Sequence, residues 1–490
     1  MSRLVKVKLA LVDEDHLIAN QYIADASGQW ERKIVALTAL KRNVSLDRTF
    51  ERGGFTLTVD DTDGAYKAMF ANETNRKIYG KTVTLYAYKK DGVTIAETVV
   101  ATICGWVRAE PNIVFTCVQE FSGAMDAIPA ALDLVINSTD FPEAPTRALG
   151  KPVLFPTGVC YSPLGKITCW KVIKRNVGLG IDAKYLITKS EPAPAADRII
   201  SIDTVYEDGV RVLPASRYSL VKGLDGAGVS DGWEYVNYNG DMNRIRINCT
   251  AVSNPGVAGA NPVDALRGVL TAAGVTLVDD GEGGTDDFET FCTTNTWAMG
   301  AAPEGAPKTK DYLETWCQNF NCFWRLDAAG AVHIKHFDWA AITADGTLTE
   351  QHFMEFAEAP DMSEFANRSR SKFEYGNASW NSEVVTDSTD GDYLPADIPM
   401  ERSEEYLLAA FGGATNPIVE KLRFYDRVKQ IASGIVDMDQ YEIIGLELLK
   451  VANVTHSRQI GGTGKYLIIS ETPDWINGTV GIEMLRLWGA

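Results

Sequence analysis

The chain has 490 residues, 45% hydrophobic and 23% charged, enough apolar material for three or four cores of ordinary size; disordered, collagen-like and low-complexity classes are excluded. Lys and Arg number 47 against 65 Asp and Glu, and the resulting net charge of −18 is spread along the chain rather than gathered in a tail. A chain of this sign repels phosphate backbones, which disfavours sequence-reading nucleic-acid binding and suits a surface past which DNA slides without sticking.

The N-terminal run MSRLVKVKLALVDED is apolar, but Lys6 and Lys8 interrupt it at every second position, the period of a strand and not of a signal-peptide core. No apolar stretch reaches the length of a membrane-spanning helix. The cysteines, at 104, 117, 160, 169, 249, 292, 317 and 322, lack a repeated CxxC, which fits folding in a reducing cytoplasm.

Residues 1 to about 125 read as strands separated by hairpin turns. Phe55, Leu57 and Val59 alternate before a turn over 60–64, and Val83, Leu85 and Ala87 share one face before Asp91-Gly92. The period of two then resumes over 93–107. A two-residue turn at Glu110-Pro111 makes paired positions sum to 221. That places Cys104 opposite Cys117, Trp106 opposite Phe115 and Arg108 opposite Ile113, with the two cysteines either packed thiols, the favoured state, or a cross-strand bridge.

A helical piece is expected over 126–136. From Leu149, Pro152, Pro156 and Pro163 with Gly158 and Gly165 make an extended connector, since proline cannot donate to a ladder. A second β module follows, with Ile200 and Ile202 on one face and hairpin turns at Asp208-Gly209 and Asn239-Gly240. A helix then starts with Asn261 as cap and Pro262 at its first position, buries Val263, Leu266 and Leu270, and ends at Gly274. Another spans 311–320 with Tyr312, Trp316 and Phe320 on one stripe, followed by a hairpin in FWRLDAAGAVHIKHF. Strands in SRSKFEYGNASW and a loop over 386–392 come next. A helix from Asn416-Pro417 carries Ile418, Leu422, Tyr425 and Val428, and the chain ends in a hairpin turning at Asn477-Gly478.

Chemical motifs are weak. Gly80-Lys81-Thr82 resembles the end of a phosphate-binding loop, but Asn75 stands where the first glycine belongs and a strand follows instead of a helix. Gly178-x-Gly180-x-x-Ala183 opens no βαβ unit and reads as a turn. Cys317, Cys322, His333 and His336 have the residue types of a zinc site, but on a strand odd spacing sends the two histidines to opposite faces. Asp279, Asp280, Glu282, Asp286 and Asp287 crowd one Gly-rich loop without the alternating spacing of a calcium loop. Arg368, Arg370 and Lys372 line one strand face, either a solvated face or a patch for an acidic partner. The five histidines sit in no catalytic context and neither GxSxG nor HExxH occurs, so no catalytic, cofactor-binding or metal residue is assigned and no enzyme is expected.

The fold class expected is mainly β with α+β insertions. The order of elements resembles the tail-hub and baseplate-hub proteins of tailed bacteriophages. The resemblance is carried by FTLTVDDTDGAYKAMF followed by YGKTVTLYAY, by the connector from LGKPVLFPTGVCYSP to IISIDTVYEDGVRV, by the helix and FWRLDAAGAVHIKHF hairpin, and by the closing strand ending LWGA. It implies five regions: an N-terminal barrel over 1–145, a connector with strands over 146–194, a β module over 195–250, an α/β insertion over 251–344 and a C-terminal barrel with a helix over 345–490. It further implies a homotrimeric ring at the tail tip of a virion, assembled in the host cytoplasm. The ring would meet distal tail and tail tube proteins on one side and fibre or central tip proteins on the other, with DNA passing through the lumen. No cofactor and no membrane-spanning segment are expected. Two other readings stay open: a carbohydrate- or receptor-binding β protein of the tail tip, suggested by 11 Trp and 18 Tyr, and a distal tail or tube adaptor.

Overall fold

Inward-facing apolar residues at every second position build two curled sheets from the two ends of the chain. The computed structural model describes all residues except 1–2, 12–13, 39, 120–122, 130–132, 152, 154–155, 161–166, 175–181, 190–198, 209, 214, 223–232, 241, 252–260, 280–287, 302–306, 328–329, 337–341, 374–382, 390, 394, 397–398, 407, 411–416, 461 and 488–490. The protein is mainly β and divides into two units. Met1–Phe121, Phe323–Glu364 and Val428–Ala490 form the first; Ser122–Cys322 and Phe365–Arg427 form the second.

In the first unit the N-terminal sheet runs in the order Ile23–Asp25, Gly28–Arg32, Asp15–Ala19, Val5–Ala10, Thr82–Tyr88, Ile95–Ala109, Asn112–Val118, Gly54–Asp60, Ile34–Leu37. Gly28–Arg32, next to one end, and Ile34–Leu37, at the other, are separated in sequence only by Lys33. The Lys33 amide donates to Ala19 on one side at 3.1 Å, and its carbonyl accepts from Asp60 on the other at 2.8 Å. One residue therefore closes the sheet into a barrel, and only the short Ile23–Asp25 strand extends beyond the join. Phe55, Leu57, Val59, Val83, Leu85, Ala87, Ile113 and Phe115 point inward and are buried, as the alternation requires.

The C-terminal sheet closes by the same device. Its order is Gly346–Thr349, Val451–Thr455, Gly464–Asp474, Thr479–Leu487, Lys429–Asp437, Phe353–Asp361. The first and last strands are joined by the single turn Glu350–His352, whose ends are held by a reciprocal Thr349 and His352 capping box. Across the join, Phe356 stacks on His456 with centroids 4.3 Å apart and Tyr466 donates to Glu358 at 2.6 Å. Gly478 adopts φ 70° at the expected final hairpin turn.

A hairpin of Arg42–Val44 and Phe50–Arg52 leaves the N-terminal sheet and pairs with the other barrel, Asn43 opposite Ser470 and Arg42 opposite Glu471. Trp324, on the Phe323–Leu326 strand, clamps it: the ring is fully buried, its Nε1 donates to the Arg48 carbonyl at 3.0 Å, and Phe50 meets its face at 5.3 Å.

The second unit is centred on a sheet in which Arg244–Ala251 pairs with Ile167–Ile173, Ile199–Glu207 and Thr157–Cys160. Its core includes Tyr185, Val236, Tyr238, Ile245 and Ile247. The predicted helices occupy Pro262–Ala272 and Thr309–Phe320; the Asn261 side chain caps the former by accepting from Val263 at 2.9 Å. Pro417–Tyr425 is helical as expected, with Ile418, Leu422 and Tyr425 buried, while Asn416 lies outside the described residues.

Three expectations fail in this unit. Asn239-Gly240 is not a hairpin turn: Trp233–Tyr238 pairs with Ala183–Lys189 and Tyr218–Lys222, and the sheet order sets Ala183–Lys189 and Ile167–Ile173 between it and the Arg244–Ala251 strand that follows. The helix over 126–136 is only the turn Gly123–Asp126, because Pro129 has no amide proton and disfavours helical geometry at Ile128. Ile200 and Ile202 do not form the buried face of their strand. Bulges at Ile199/Ser201 and Ile202/Thr204 re-aim the side chains, so Ile199 and Val205 enter the core while Ile200 stays 46% exposed.

Candidate interaction surfaces

The alternation that fills the N-terminal barrel leaves a second set of residues outside. On Gly54–Asp60 these are Thr56, Thr58 and, at the end of the strand, Asp60; on Asn112–Val118, Val114, Thr116 and Val118; on Ile95–Ala109, Thr98, Val100, Thr102 and Val107; on Thr82–Tyr88, Thr82, Thr84 and Tyr86. Only Asp60, at the rim, is charged, on a chain where almost one residue in four is. Val100 and Val107 are 55% and 59% exposed, so the face is an apolar ridge flanked by threonines.

On the C-terminal barrel the outward face is concave. Register places Glu355, Ile435, Gly481 and Thr472 in one cross-strand row and Ala357, Ser433, Glu483 and Ser470 in the next. Gly481 in the first row and Ser433 in the second, beside Ile435 and Glu483, leave a groove of about 560 Å³, with Met354 and Arg458 also on its lining.

Between the barrels lies a set of charges. Arg3 is bound by Asp439 and, at 2.7 Å, by Glu442, and Lys90 reaches Asp439 at 2.8 Å. Deeper, Arg42 contacts Glu97 and faces Glu471 at 4.0 Å, and Tyr441 donates to Glu471. Burial holds the Glu471 carboxyl above the usual carboxylate range, Arg42 and Tyr441 opposing it, and burial likewise pulls the Arg42 guanidinium down. Desolvation thus outweighs mutual attraction at this pair.

The chemical motifs dissolve into local structure. Gly80 takes φ 78° in the turn before Thr82–Tyr88. His333 bonds Asp327 at 3.1 Å, His336 is buried with its imidazole pushed down to about 3, first by burial and then by Arg48, and Cys317 and Cys322 are buried and in no disulfide. Among the described residues no group of three or more His, Cys, Asp and Glu could hold a metal ion. Asp279 accepts from the Glu289 amide at 2.9 Å; the other four acidic residues of its loop, and Gly178 and Gly180, lie outside the described residues. Arg368 and Arg370 do not form an open cationic patch: neighbouring strands supply Asp387 and Glu401, each at 2.6 Å. Trp30, Trp233, Trp297, Trp316, Trp324 and Trp475 are buried, so these rings serve cores rather than a sugar-stacking surface. Among the described residues no helix is long and apolar enough to cross a membrane.

The 221-sum register holds from Ala109/Asn112 to Gly105/Thr116 and then fails at a bulge between Ile103 and Gly105. Ile103, not Cys104, stands opposite Cys117. Cys104 is pushed outward onto the threonine-rich face, where its Sγ lies 3.4 Å from the Thr116 carbonyl, and neither cysteine is in a disulfide. Burial pushes the Cys117 thiol up to about 12. A maleimide at pH 8 is expected to modify Cys104 at least about tenfold faster than Cys117. Peptide mass mapping with time reads both rates, and equal rates would refute the bulge.

No protein-family model matches the chain, and no curated protein matches it. Solved structures do. A 43 kDa tail protein of prophage MuSo2 from Shewanella oneidensis is similar at 10% identity and TM-score 0.42, covering 99% of this chain and 97% of that one. A tail protein from Neisseria meningitidis matches at 6% identity and TM-score 0.42, covering 99% and 98%. Prophage tail protein gp18 from Listeria monocytogenes matches at 8% identity and TM-score 0.39, covering 99% and 94%.

Proposed function

We propose that the chain is a structural subunit of a phage-tail-type particle, a hub that forms a homotrimeric ring at the tail tip. In this reading the barrels of residues 1–145 and 345–490 make the ring, the tail tube and distal tail proteins dock on one side, and fibre or central tip proteins on the other. DNA passes through without being held, because a lumen bounded by a chain of net charge −18 does not retain a phosphate backbone. The reading makes the chain a virion component without catalysis.

The observation that supports it is the first unit itself. The chain places two barrels from its opposite ends in one compact unit and ties them by a hairpin that pairs across from one to the other. Three such subunits would present six barrels, which is how a three-fold ring can match a six-fold tube. Light scattering at micromolar concentration is expected to give three times the 53.6 kDa subunit mass, and negative-stain images a three-fold ring. A monodisperse monomer that binds no tail component would refute the reading.

A further inference from the structure

We propose that an arginine face on the second unit docks a short acidic segment of a different protein. The contact needs one subunit only, so it stands apart from the ring reading.

The face follows from register. Arg211, Tyr206, Arg246 and Thr168 form one cross-strand row, and Arg244 and Trp170 begin the next. Further along the second row the same side of the sheet is roofed: Leu186 and Tyr235 pack under Ile136, Phe141 and Val153, with Trp170 at the margin. Beyond that margin Arg211, Arg244 and Arg246 are exposed. Lys151, at the edge of the roof, stands 5.8 Å from the centre of the Trp170 ring, as does the Arg244 guanidinium. The cations gather against the trend of the chain. Residues 147–189, which supply Lys151, Thr168 and Trp170, hold eight Lys and Arg against one Asp, where the whole chain holds 47 against 65.

These arginines are held differently from others in the chain. Arg3, Arg267, Arg368 and Arg370 each hold a carboxylate. Among the described residues Arg211, Arg244 and Arg246 hold none. On the neighbouring strand Ile199–Glu207, Asp203 already accepts from Ser201 at 2.9 Å and from Thr250 at 3.3 Å, and Glu207 accepts from Tyr238 at 2.7 Å. Asp208, in the turn beyond, is an exposed acid at the rim of a face that carries four exposed cations.

Spacing and chemistry choose the occupant. Arg244 and Arg246 lie about 6.8 Å apart along one strand, and Arg211 is about 10 Å across from Arg246, so the face spans a few residues of chain. Guanidinium forks bind carboxylates in pairs of hydrogen bonds. A DNA duplex, with one charge per about 1.7 Å, would run past the face over a chain of net charge −18 and be repelled. A single strand finds no ring to stack on, because Tyr206 is buried and Trp170 is half-buried with cations over it. A short acidic segment meets the arginines and little else.

The test is the fluorescence anisotropy of a labelled glutamate decapeptide titrated with the full chain. Binding at low salt is expected, weakened about tenfold between about 50 and 300 mM salt, and a duplex of about 20 base pairs should bind more weakly than the peptide. Arg244→Glu combined with Arg246→Glu should weaken the peptide by more than about tenfold. Arg108→Glu, a charge reversal on the first unit, should leave it unchanged. Circular dichroism shows whether the double reversal folds; if it does not, the double glutamine variant is read in its place, with a loss of about fivefold expected. A wild-type chain that binds no peptide at low salt, peptide binding that survives the folded double variant, or a duplex bound more tightly than the peptide overturns the proposal. So does a double variant of altered oligomeric mass, which would assign the face to a second copy of this chain. A monomeric wild type that binds the peptide through these arginines overturns the ring reading and leaves this one standing.

Discussion

Replacing Arg42 with methionine is expected to destabilise the first unit by about 3 kcal/mol, because it leaves the buried Glu471 carboxylate without its cation. Glu471 is only 5% exposed, and Tyr441 supplies it a hydrogen bond but no charge. Arg42 keeps about a quarter of its side chain in water, at 24%, which places the loss at the lower end of the range for buried pairs. For a unit of this size the melting transition should fall by roughly 10 °C.

The sign of the pH dependence separates this mechanism from simple loss of packing. The folded Glu471 carboxyl is held above its unfolded value, so its favourable contribution is complete below the unfolded value of 4.5 and is lost as pH rises through the folded one. Removing Arg42 lifts the folded value further. The Arg42→Met deficit should therefore be largest at neutral pH and shrink as pH falls toward 4.5. Adding Glu471→Gln, which keeps an acceptor for Tyr441 without the charge, should recover more than half of the loss. Thermal melts of wild type, single and double variants between pH 5 and 8 measure this, and a deficit that stays flat across that window would refute it. Asp25 bears the opposite sign: the hydrogen bond from Lys6 leads in lowering its carboxyl to about 2, so its contribution is lost only as pH falls toward that value.

The strands of the barrels were legible because Phe55, Leu57 and Val59, or Val83, Leu85 and Ala87, must share a face if one side is wet and the other dry. The Asn261 cap was legible because its side chain acts on the amide two residues away. Closure of the N-terminal barrel was not, since it turns on the Lys33 backbone alone, and a backbone amide and carbonyl carry no sequence signature. Nor was the pairing of Arg42 with Glu471, whose partners are far apart in the chain. Bulges at Ile103/Gly105 and Ile199/Ser201 shift register by one residue, which inverts the face of every later side chain; Gly105 inside its strand marks the first, and no glycine or proline marks the second. The threonine-rich face was present as alternating threonines in FTLTVD, KTVTLY and ETVVATI. It is found by reading the outward half of the same period, where an acidic chain would ordinarily place its charges.

Replacing Trp324 with alanine is expected to cost about 3–5 kcal/mol. The ring is fully buried and touches the one element that belongs to the N-terminal segment yet pairs with the C-terminal barrel. Two parts of the loss are separable. Trp324→Phe keeps most of the apolar contact with Phe50 but deletes the 3.0 Å bond to the Arg48 carbonyl, so about 1–2 kcal/mol should go with the indole nitrogen and the remainder with volume. Arg48 amplifies the effect: it holds φ 72°, a conformation that ordinary side chains resist, and its guanidinium lies 4.0 Å from the centre of the Phe323 ring. A loosened Trp324 removes the support on one side of that turn. Limited proteolysis should then cut alanine-variant chains within 42–52 well before the wild type, while the second unit keeps its own cleavage rate. Because this hairpin is what pairs one barrel with the other, the same variant should lose ring mass before it loses β-sheet circular dichroism. Loss of both together would mean that the Trp324 clamp supports the barrels themselves and not their union.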